Sequence, residues 1–439
     1  MMFDTFPLRQ KRLWQSLRQK RLWAVLLILV LFFAGGNFAF AQQWLDSNKF
    51  VGVKRGVEVR YRGQLSSWGS YSSGAVWPLM FGARYLPQLN LEVPINWRKP
   101  GGDSGSDFWG GLRFDAEVSG NMYGSGEIMR SSRGDSRRDV SWDARWDGKV
   151  KLYRGWGRVS TDRAELRVGL QKINFGSAMM LRPLMWFDSM DPRDPLQMTD
   201  GVWGAMGRYY FNNNANIWVW GLLGNSVRRA LDILPSDGAT PEFGGRVQIP
   251  VGRGEMAFSF HRRKTDFSAF GYDSVLGFDS DLLTTGLNSL YENKFGLDMR
   301  FDYEIGFWLE AVWINRRGVP AELSNQRMVT VGADYTFGLG NGLGAVVEHM
   351  YIEKFNITAL NINYPINMNN SLNWMMYYEW RSGGLFNFLR WKHSLSFGDL
   401  YVMAFANPNG ALIPGMSSGN LSLSGKGIQL MLVINHQTK

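Results

Sequence analysis

The residues best suited to act on a solute lie in a proline-containing stretch from Arg182 to Asp200, between two strand-like segments. Four charged residues in it would set selectivity if the stretch folded into the mouth of a pore, namely Asp188, Asp191, Arg193 and Asp194. Charged side chains around a constriction select among ions in this way. The alternative is a rigid extracellular loop with solvated charges. Loops longer than about 15 residues are often functional, which leaves the two interpretations evenly balanced.

An enzyme would have to draw on four histidines, His261, His349, His393 and His436. Ser259 precedes His261 by two positions and would share its strand face, but no Gly-x-Ser-x-Gly turn or comparable nucleophile signature accompanies the pair. No His-x-x-His or Cys pattern indicates a metal site. We therefore predict no catalytic, cofactor-binding or metal site. A hydrolase built on Ser259 and His261 is the weakest alternative.

A second group of charged residues recurs at every other position of strand-like segments. After residue 163, for example, Leu166 and Val168 alternate with Glu165 and Arg167. A period of two predicts a strand between an apolar and a polar environment. Residues of mixed sign on neighbouring strands could form cross-strand ion pairs that hold a barrel together, or they could line a pore. The pore-lining candidates are Glu58, Arg60, Arg62, Arg113, Asp115, Glu117, Glu165, Arg167, Asp298, Arg300 and Asp302.

Strand-like segments with this alternation occur along the chain, and they would place the charged candidates on one face of a sheet. The predicted strands are 57–65, 84–93, 112–118, 145–158, 164–174, 201–211, 216–224, 241–250, 255–265, 293–303, 306–315, 326–337, 343–353, 357–364, 371–380, 385–396, 399–406 and 425–436. Their number is 18, and because each strand gives a weak signal we expect 16 to 18. The segments 145–158 and 343–353 are ambiguous by one residue in phase.

From the fourth strand onward, tight connections rich in Gly, Asn and Asp alternate with longer ones. The tight connections lie near residues 160–162, 212–214, 252–254, 304–306, 338–342, 366–370 and 397–399. Gly, Asn and Asp permit the positive φ of hairpin turns. Short periplasmic turns, longer outer loops and both termini in the periplasm are typical of an up-and-down transmembrane barrel. A soluble β-sandwich is the alternative fold, because alternation alone cannot separate lipid from a packed core.

Residues 1–41 have the order of a secretory signal peptide: basic residues, the apolar run Leu22–Ala34 and the site Ala39-Phe40-Ala41. An uncleaved anchor is the alternative, although the run is shorter than the roughly 20 residues of a membrane span. Cleavage before Gln42 would lower Lys+Arg from 48 to 42 and Asp+Glu from 38 to 37, so the net charge falls from +10 to +5. This small excess gives no reason to expect a nucleic-acid partner.

The composition agrees with a membrane barrel. There is no Cys, whereas aromatic residues (19 Trp, 28 Phe, 16 Tyr) and Gly (51) are abundant. No stretch after residue 41 is apolar for long enough to be a membrane helix. The sequence therefore predicts an all-β protein: a signal peptide at 1–41 and an antiparallel up-and-down outer-membrane β-barrel at 42–439. Strand-like sequence begins within about 15 residues of the predicted cleavage site, which leaves no room for a plug domain and argues against a TonB-dependent transporter.

Residues 120–144 are expected to form a loop that contains clustered arginines. Its charged residues are Arg130, Arg133, Asp135, Arg137, Arg138 and Asp139. Guanidinium groups match phosphate in bidentate fashion, so the loop is a candidate for contact with lipopolysaccharide. An ordinary solvated loop is the alternative.

The stretch Arg167-Val168-Gly169-Leu170-Gln171-Lys172-Ile173-Asn174-Phe175-Gly176, followed by Asp188, Asp191-Pro192 and Asp194-Pro195, resembles a segment of porin-like outer-membrane families. In the alginate-export channels a similar strand ends in Arg-Gln-x-Ile-x-Trp/Tyr-Gly, and an Asn/Asp-Pro element follows. Here Leu170 stands where those families often have Arg, and Phe175 replaces Trp or Tyr. Residues 84–89 and 208–224 also resemble uncharacterised Bacteroidetes outer-membrane proteins. The resemblance covers about 30 of 439 residues and implies an 18-stranded porin-like barrel, without a substrate.

We therefore expect a cofactor-free outer-membrane channel that passes a small polar or anionic solute passively. Its expected partners are outer-membrane lipid, lipopolysaccharide and that solute, and its oligomeric state is left open. The alternative is a non-conducting barrel that serves in assembly, anchoring or adhesion.

Overall fold

The computed structural model describes residues 58–94, 112–132, 140–229, 231–266, 289–317, 324–353, 355–409 and 423–437. The predicted signal peptide lies outside these ranges. Among the residues described, no helix is both long enough and apolar enough to span a membrane.

Eighteen strands make up this part of the chain. They are β1 (Glu58–Ser72), β2 (Leu79–Pro94), β3 (Arg113–Ser132), β4 (Val140–Ser160), β5 (Ala164–Gln171), β6 (Val202–Tyr210), β7 (Asn216–Leu222), β8 (Glu242–Val251), β9 (Gly254–Asp266), β10 (Ser289–Asp302), β11 (Gly306–Arg316), β12 (Asn325–Phe337), β13 (Leu343–Ile352), β14 (Phe355–Asn367), β15 (Asn370–Glu379), β16 (Gly384–Leu395), β17 (Gly398–Ala406) and β18 (Lys426–Gln437).

Each strand pairs antiparallel with the next along the chain, and β1 also pairs with β18, so the sheet closes on itself. This confirms the up-and-down barrel and its predicted strand number. The β-sandwich alternative is wrong, because a sandwich would have two separate sheets with open edges.

The side chains of each strand alternate between an inner and an outer face. On β11, Trp308 and Val312 are buried inside, whereas Phe307 and Trp313 are 44% and 45% exposed on the outside. The outer faces of other strands also carry exposed apolar residues, such as Leu166, Val219 and Val247. Exposed apolar residues around a closed barrel are stable only in contact with lipid, which places the protein in the outer membrane.

The ambiguous phase of segment 145–158 has a structural cause, because β4 contains a β-bulge. On β3, Ser119 pairs with Arg154 and Gly120 pairs with Leu152, which leaves Tyr153 as an extra residue on β4. A bulge shifts the alternation by one position. Between the bulge and the end of β4, the inner face continues through Arg158. Between the start of β4 and the bulge, the odd-numbered residues face inward.

Strand β3 and strand β4 are longer than expected, at 20 and 21 residues. The predicted loop 120–144 is therefore wrong except at residues 133–139, which lie outside the described residues. Sequence reasoning missed the extension because Gly120, Gly124 and Gly126 interrupt the alternating pattern, and glycine is depleted in strands. The arginine cluster proposed to contact lipopolysaccharide falls mainly in the undescribed residues.

Short turns gather at the end of the barrel where β1 begins and β18 ends, which we call the turn end. Two of its turns use positive φ at Asn214 (64°) and Gly252 (58°), as the residue types predicted. At the opposite end, the loop end, two connections fold inward. The lumen loop, residues 172–201, joins β5 to β6, and the second loop, residues 223–241, joins β7 to β8.

Candidate functional site: the lumen loop and the wall it contacts

The lumen loop contacts the inner wall of the barrel and is not a solvated loop outside it, and its role as a constriction stays a prediction. Its shape is set by its own polar residues. Arg182 donates to Asp188 (3.4 Å), to the carbonyl of Phe175 (3.4 Å) and to Asn174. The Asp194 carboxylate accepts the backbone N–H groups of Leu196 (3.0 Å) and Met198 (3.3 Å), as turn-forming aspartates do.

Apolar side chains fix the first half of the loop against the wall. Phe175 packs in edge contact with Trp186 and Phe187, with ring centroids 5.6 and 5.9 Å apart. Phe187 lies 5.4 Å from the ring of Trp220 on β7. The same cluster continues over buried wall residues of β11 to β17: Val312, Ile314, Met328, Met350, Ile352, Ile357, Ala359, Met375, Tyr377, Phe386, Phe388, Met403 and Phe405.

This apolar inner wall differs from the charged inner face that the alternating pattern indicated. The inner face is mainly polar on β1 to β5, whereas apolar residues predominate toward the loop end of β11 to β17. The phase of segment 343–353 was ambiguous for this reason, since inward Met350 and Ile352 are as apolar as outward Val347.

Two wall carboxylates, Glu310 on β11 and Glu348 on β13, hold residues 178–184 of the loop, which we call the far turn. Glu310 accepts the backbone N–H groups of Ala178 (2.7 Å) and Leu184 (3.2 Å). Glu348 accepts those of residues 179 (2.6 Å), 180 (3.0 Å) and 181 (2.6 Å), and also the indole N–H of Trp308 (3.1 Å). Both carboxylates are fully buried, and neither forms an ion pair with a described residue.

The last third of the loop returns along the opposite wall. Arg390 on β16 donates to the carbonyl of Arg193 (3.4 Å), and Leu196 packs against the cluster around Trp68 on β1. Arg154 on β4 donates to the carbonyl of Thr199 (2.8 Å). The loop thus contacts inner-face residues on both sides of the barrel.

The four predicted constriction residues all lie in this loop. Asp188 is buried, and burial raises its pKa although Arg182 opposes the shift. Burial likewise raises the pKa of Asp194. Asp191 and Arg193 form a bidentate pair (2.6 and 2.9 Å). These charges are largely satisfied within the loop, so none of the four stands free as a selective charge.

The predicted pore-lining residues lie on the inner face, and many pair with each other or with neighbours. Their ion pairs are Arg60 with Glu58 (2.5 Å) and Glu92 (3.4 Å), Asp115 and Glu165 with Arg158 (2.7 and 3.3 Å), Asp298 with Arg246 (2.5 Å), and Arg300 with Asp302 and Asp334 (2.9 Å each). Glu117 accepts a hydrogen bond from Ser119 (3.2 Å). Cross-strand pairing, one of the two original interpretations, therefore accounts for much of the charge.

Arginines that sequence reasoning did not single out complete the polar wall. Arg154, Arg158 and Arg208 lie on the inner faces of β4 and β6 beside Arg167 on β5. Arg208 pairs with Glu165 (3.2 Å) and lies 3.7 Å from the ring centroid of Trp218. Arg167 stacks over Trp156 at 4.6 Å and forms no ion pair with a described residue, although Glu165 and Glu117 lie near it.

The second loop is fixed to the wall by buried ion pairs. Asp232 pairs with Lys294 (2.5 Å) and Arg263 (2.8 Å), and Arg263 also pairs with Glu292 (2.7 Å). Arg316 completes the cluster through Glu292 (2.6 Å). Buried charges require such compensation, and every charged side chain of this network is buried.

Ser259 and His261 share the inner face of β9, as expected, but they do not bond to each other. Ser259 accepts a hydrogen bond from Arg246 (3.1 Å). His261 accepts the indole N–H of Trp220 at Nδ1 (3.2 Å), and its Nε2 contacts Glu242 (3.0 Å). With both ring nitrogens engaged elsewhere, this histidine is not placed to activate the serine.

At the turn end, polar residues line two hollows in the inner wall. One of about 650 Å³ is bordered by Arg62, Gln64, Gln88, Glu117, Tyr153 and Asn435. The other, about 390 Å³, is bordered by Asp302, Glu304, Asp334 and Asn361. The first lies between inner-face residues of β1 to β4 and β18.

Three solved structures give the comparison. OccK5 (OpdH) of Pseudomonas aeruginosa is 9% identical, with a TM-score of 0.52 over 87% of this chain and 99% of that chain. OccAB4 of Acinetobacter baumannii is 6% identical (TM-score 0.49; 88% and 100% covered), and an anion-selective porin from Comamonas acidovorans is 10% identical (TM-score 0.41; 87% and 100% covered). The chain has a porin-like fold. Only the similarity to OccK5, with its TM-score above 0.5, supports that conclusion among the three. At 9% identity it shows the fold alone. No family model and no curated protein matches the sequence.

Sequence reasoning missed Glu310 and Glu348, the residues that hold the lumen loop. Each is a carboxylate with apolar neighbours on its inner face, between Trp308 and Val312 on β11 and before Met350 on β13. A lone charge flanked by apolar residues at i±2 indicates a buried partner, since an unpaired buried charge is strongly destabilising. That signal was present, but it did not identify the partner.

Proposed function

We propose that the protein is an outer-membrane channel for passive passage of a small polar solute, with a preference for anions. The observation that carries the proposal is Arg167, which is half-buried on the inner wall and forms no ion pair with a described residue, although Glu165 and Glu117 lie close enough to attract it. Its stacking on Trp156 holds the guanidinium in place without neutralising it. Such a group can exchange between solvent and a passing carboxylate or phosphate.

The surrounding wall supports the same preference. The inner face of β4 to β6 between residues 149 and 208 carries one acidic residue, Glu165, and an excess of basic residues: Lys149, Lys151, Arg154, Arg158, Arg167 and Arg208. The first half of the lumen loop packs against the apolar wall of β11 to β17, so our proposal routes the solute along the basic side, beside the returning end of the loop. An excess of one sign of charge along a path raises the local concentration of oppositely charged solutes.

Ion selectivity tests this proposal. In planar bilayers with a KCl gradient, the reversal potential of the protein should show that chloride is preferred over potassium. Replacing Arg167 by Ala should shift that potential toward equal permeability, because the unpaired charge is removed. Arg262, which stacks over Tyr291 at 4.8 Å on the outer face, gives the matched control Arg262→Ala, which should leave the potential unchanged. If wild type and R167A show the same preference for chloride over potassium, the proposed preference for anionic solutes is contradicted.

The second candidate is the non-conducting barrel. The tight apolar packing of residues 175–187 across the lumen favours it, because a loop packed this way obstructs flow. Neither proposal includes an enzymatic activity or a cofactor. The kinship with alginate-export channels and the contact with lipopolysaccharide also stand as proposals. Absence of conductance in every salt would favour the non-conducting barrel.

A further inference from the structure

We propose that Glu310 and Glu348 are positioning residues that set the width of the passage by holding the far turn of the lumen loop against the opposite wall. The inference rests on the proposed channel function and deepens it. Neither carboxylate is expected to touch the solute, and both act through the backbone of residues 178–184.

The first support is the chemistry of the contact. Five consecutive or nearby backbone N–H groups of one turn converge on two carboxylates from different strands. A carboxyl group has two acceptor oxygens and can accept several N–H groups at once, and neither of these two is in an ion pair with a described residue. The bonds therefore fix the turn relative to β11 and β13, not merely its internal shape.

The second support is that the wall is shaped for close approach of this turn. A Cβ at Gly176, whose φ is +101°, would collide with the Glu310 carboxylate. A Cβ at Gly296 on β10 would collide with the side chain of Leu184. Both glycines allow the loop backbone and its leucine to lie directly on the wall, which a loosely held loop would not require.

The third support is the position of the turn along the loop. Both ends of the loop are fixed by strands β5 and β6, and the returning segment is held by Arg154 and Arg390. Residues 178–184 contact β11 and β13, which are not neighbours of β5 or β6 in the barrel. Releasing this turn from Glu310 and Glu348 would let it swing within the lumen and change the narrowest cross-section.

The test compares Glu310→Gln/Glu348→Gln with a chemically matched control. An amide retains one acceptor oxygen but loses the charge and places N–H groups against the loop donors. We expect single-channel conductance to rise roughly twofold or more, or to become strongly fluctuating, because flow depends on the narrowest section. Glu379 on β15 is also a buried carboxylate that accepts two backbone N–H groups (2.7 Å each), but those belong to its own hairpin turn. Glu379→Gln should leave conductance unchanged.

A covalent rescue separates position from general destabilisation. The chain contains no Cys, so Leu184→Cys with Gly296→Cys introduces the only thiols, at residues already in contact. In the E310Q/E348Q background, oxidation of this pair should restore the wild-type conductance, and a reductant should reverse the rescue. Unchanged conductance in E310Q/E348Q with a folded, heat-modifiable barrel would overturn the inference. Absence of conductance in wild type would instead overturn the channel proposal.

Discussion

At the scale of single residues, charge in this barrel has two different uses. Most inner-face charges are paired across strands, as Asp298 is with Arg246, and they stabilise the wall. Arg167 forms no ion pair with a described residue, and our proposal gives it the role of meeting the solute. Mixed signs in the sequence indicated both interpretations, and only the observed partners separate one group from the other.

Gly176 provides a prediction at this scale. Gly176→Ala introduces a Cβ at a positive φ and against the Glu310 carboxylate, so we expect the docked loop to lose roughly 1–3 kcal/mol of stability. The expected readout is faster cleavage within residues 172–201 by an added protease, with the barrel itself intact. In Gly338→Ala, at an open position in a turn, residues 172–201 should be cleaved by the protease at the wild-type rate. Equal rates for the two variants would contradict the close contact.

At the scale of strands and loops, the sequence was most informative where polar and apolar residues alternate without interruption. The segment at residue 164 and the segment 293–303 have the predicted faces, and the tight turns lie where Gly, Asn and Asp placed them. The pattern failed in β3 and β4, where glycines and a bulge break the alternation. It also failed to place the lumen loop, since that depends on contacts between residues more than 100 positions apart, such as Ala178 with Glu310.

The bulge in β4 gives a prediction at this scale. Deleting Tyr153 removes the extra residue and shifts the faces of residues 140–152 by one position, so Arg145 and Asp147 would turn toward the outer face and Trp146 toward the inside. We expect strongly reduced assembly into the membrane, measured as loss of the heat-modifiable folded form. Tyr153→Ala keeps the bulge and should assemble normally. Normal assembly of the deletion would show that the register at β4 is not required.

At the scale of the whole molecule, the barrel has two unlike halves inside one closed wall. The side formed by β11 to β17 has many apolar inner residues and is covered by the first part of the lumen loop, whereas the side formed by β1 to β5 is mainly polar and is contacted by the end of that loop. Under our proposal the solute passes along this polar side, and the two carboxylates hold the first part of the loop against the other. The sequence predicted the closed barrel, but not this division.

The central claim is that the folded barrel conducts. Single-channel recording of the purified protein in planar bilayers tests it most directly. We expect discrete conductance steps that carry more chloride than potassium. A correctly folded barrel that gives no steps in any salt would contradict the claim.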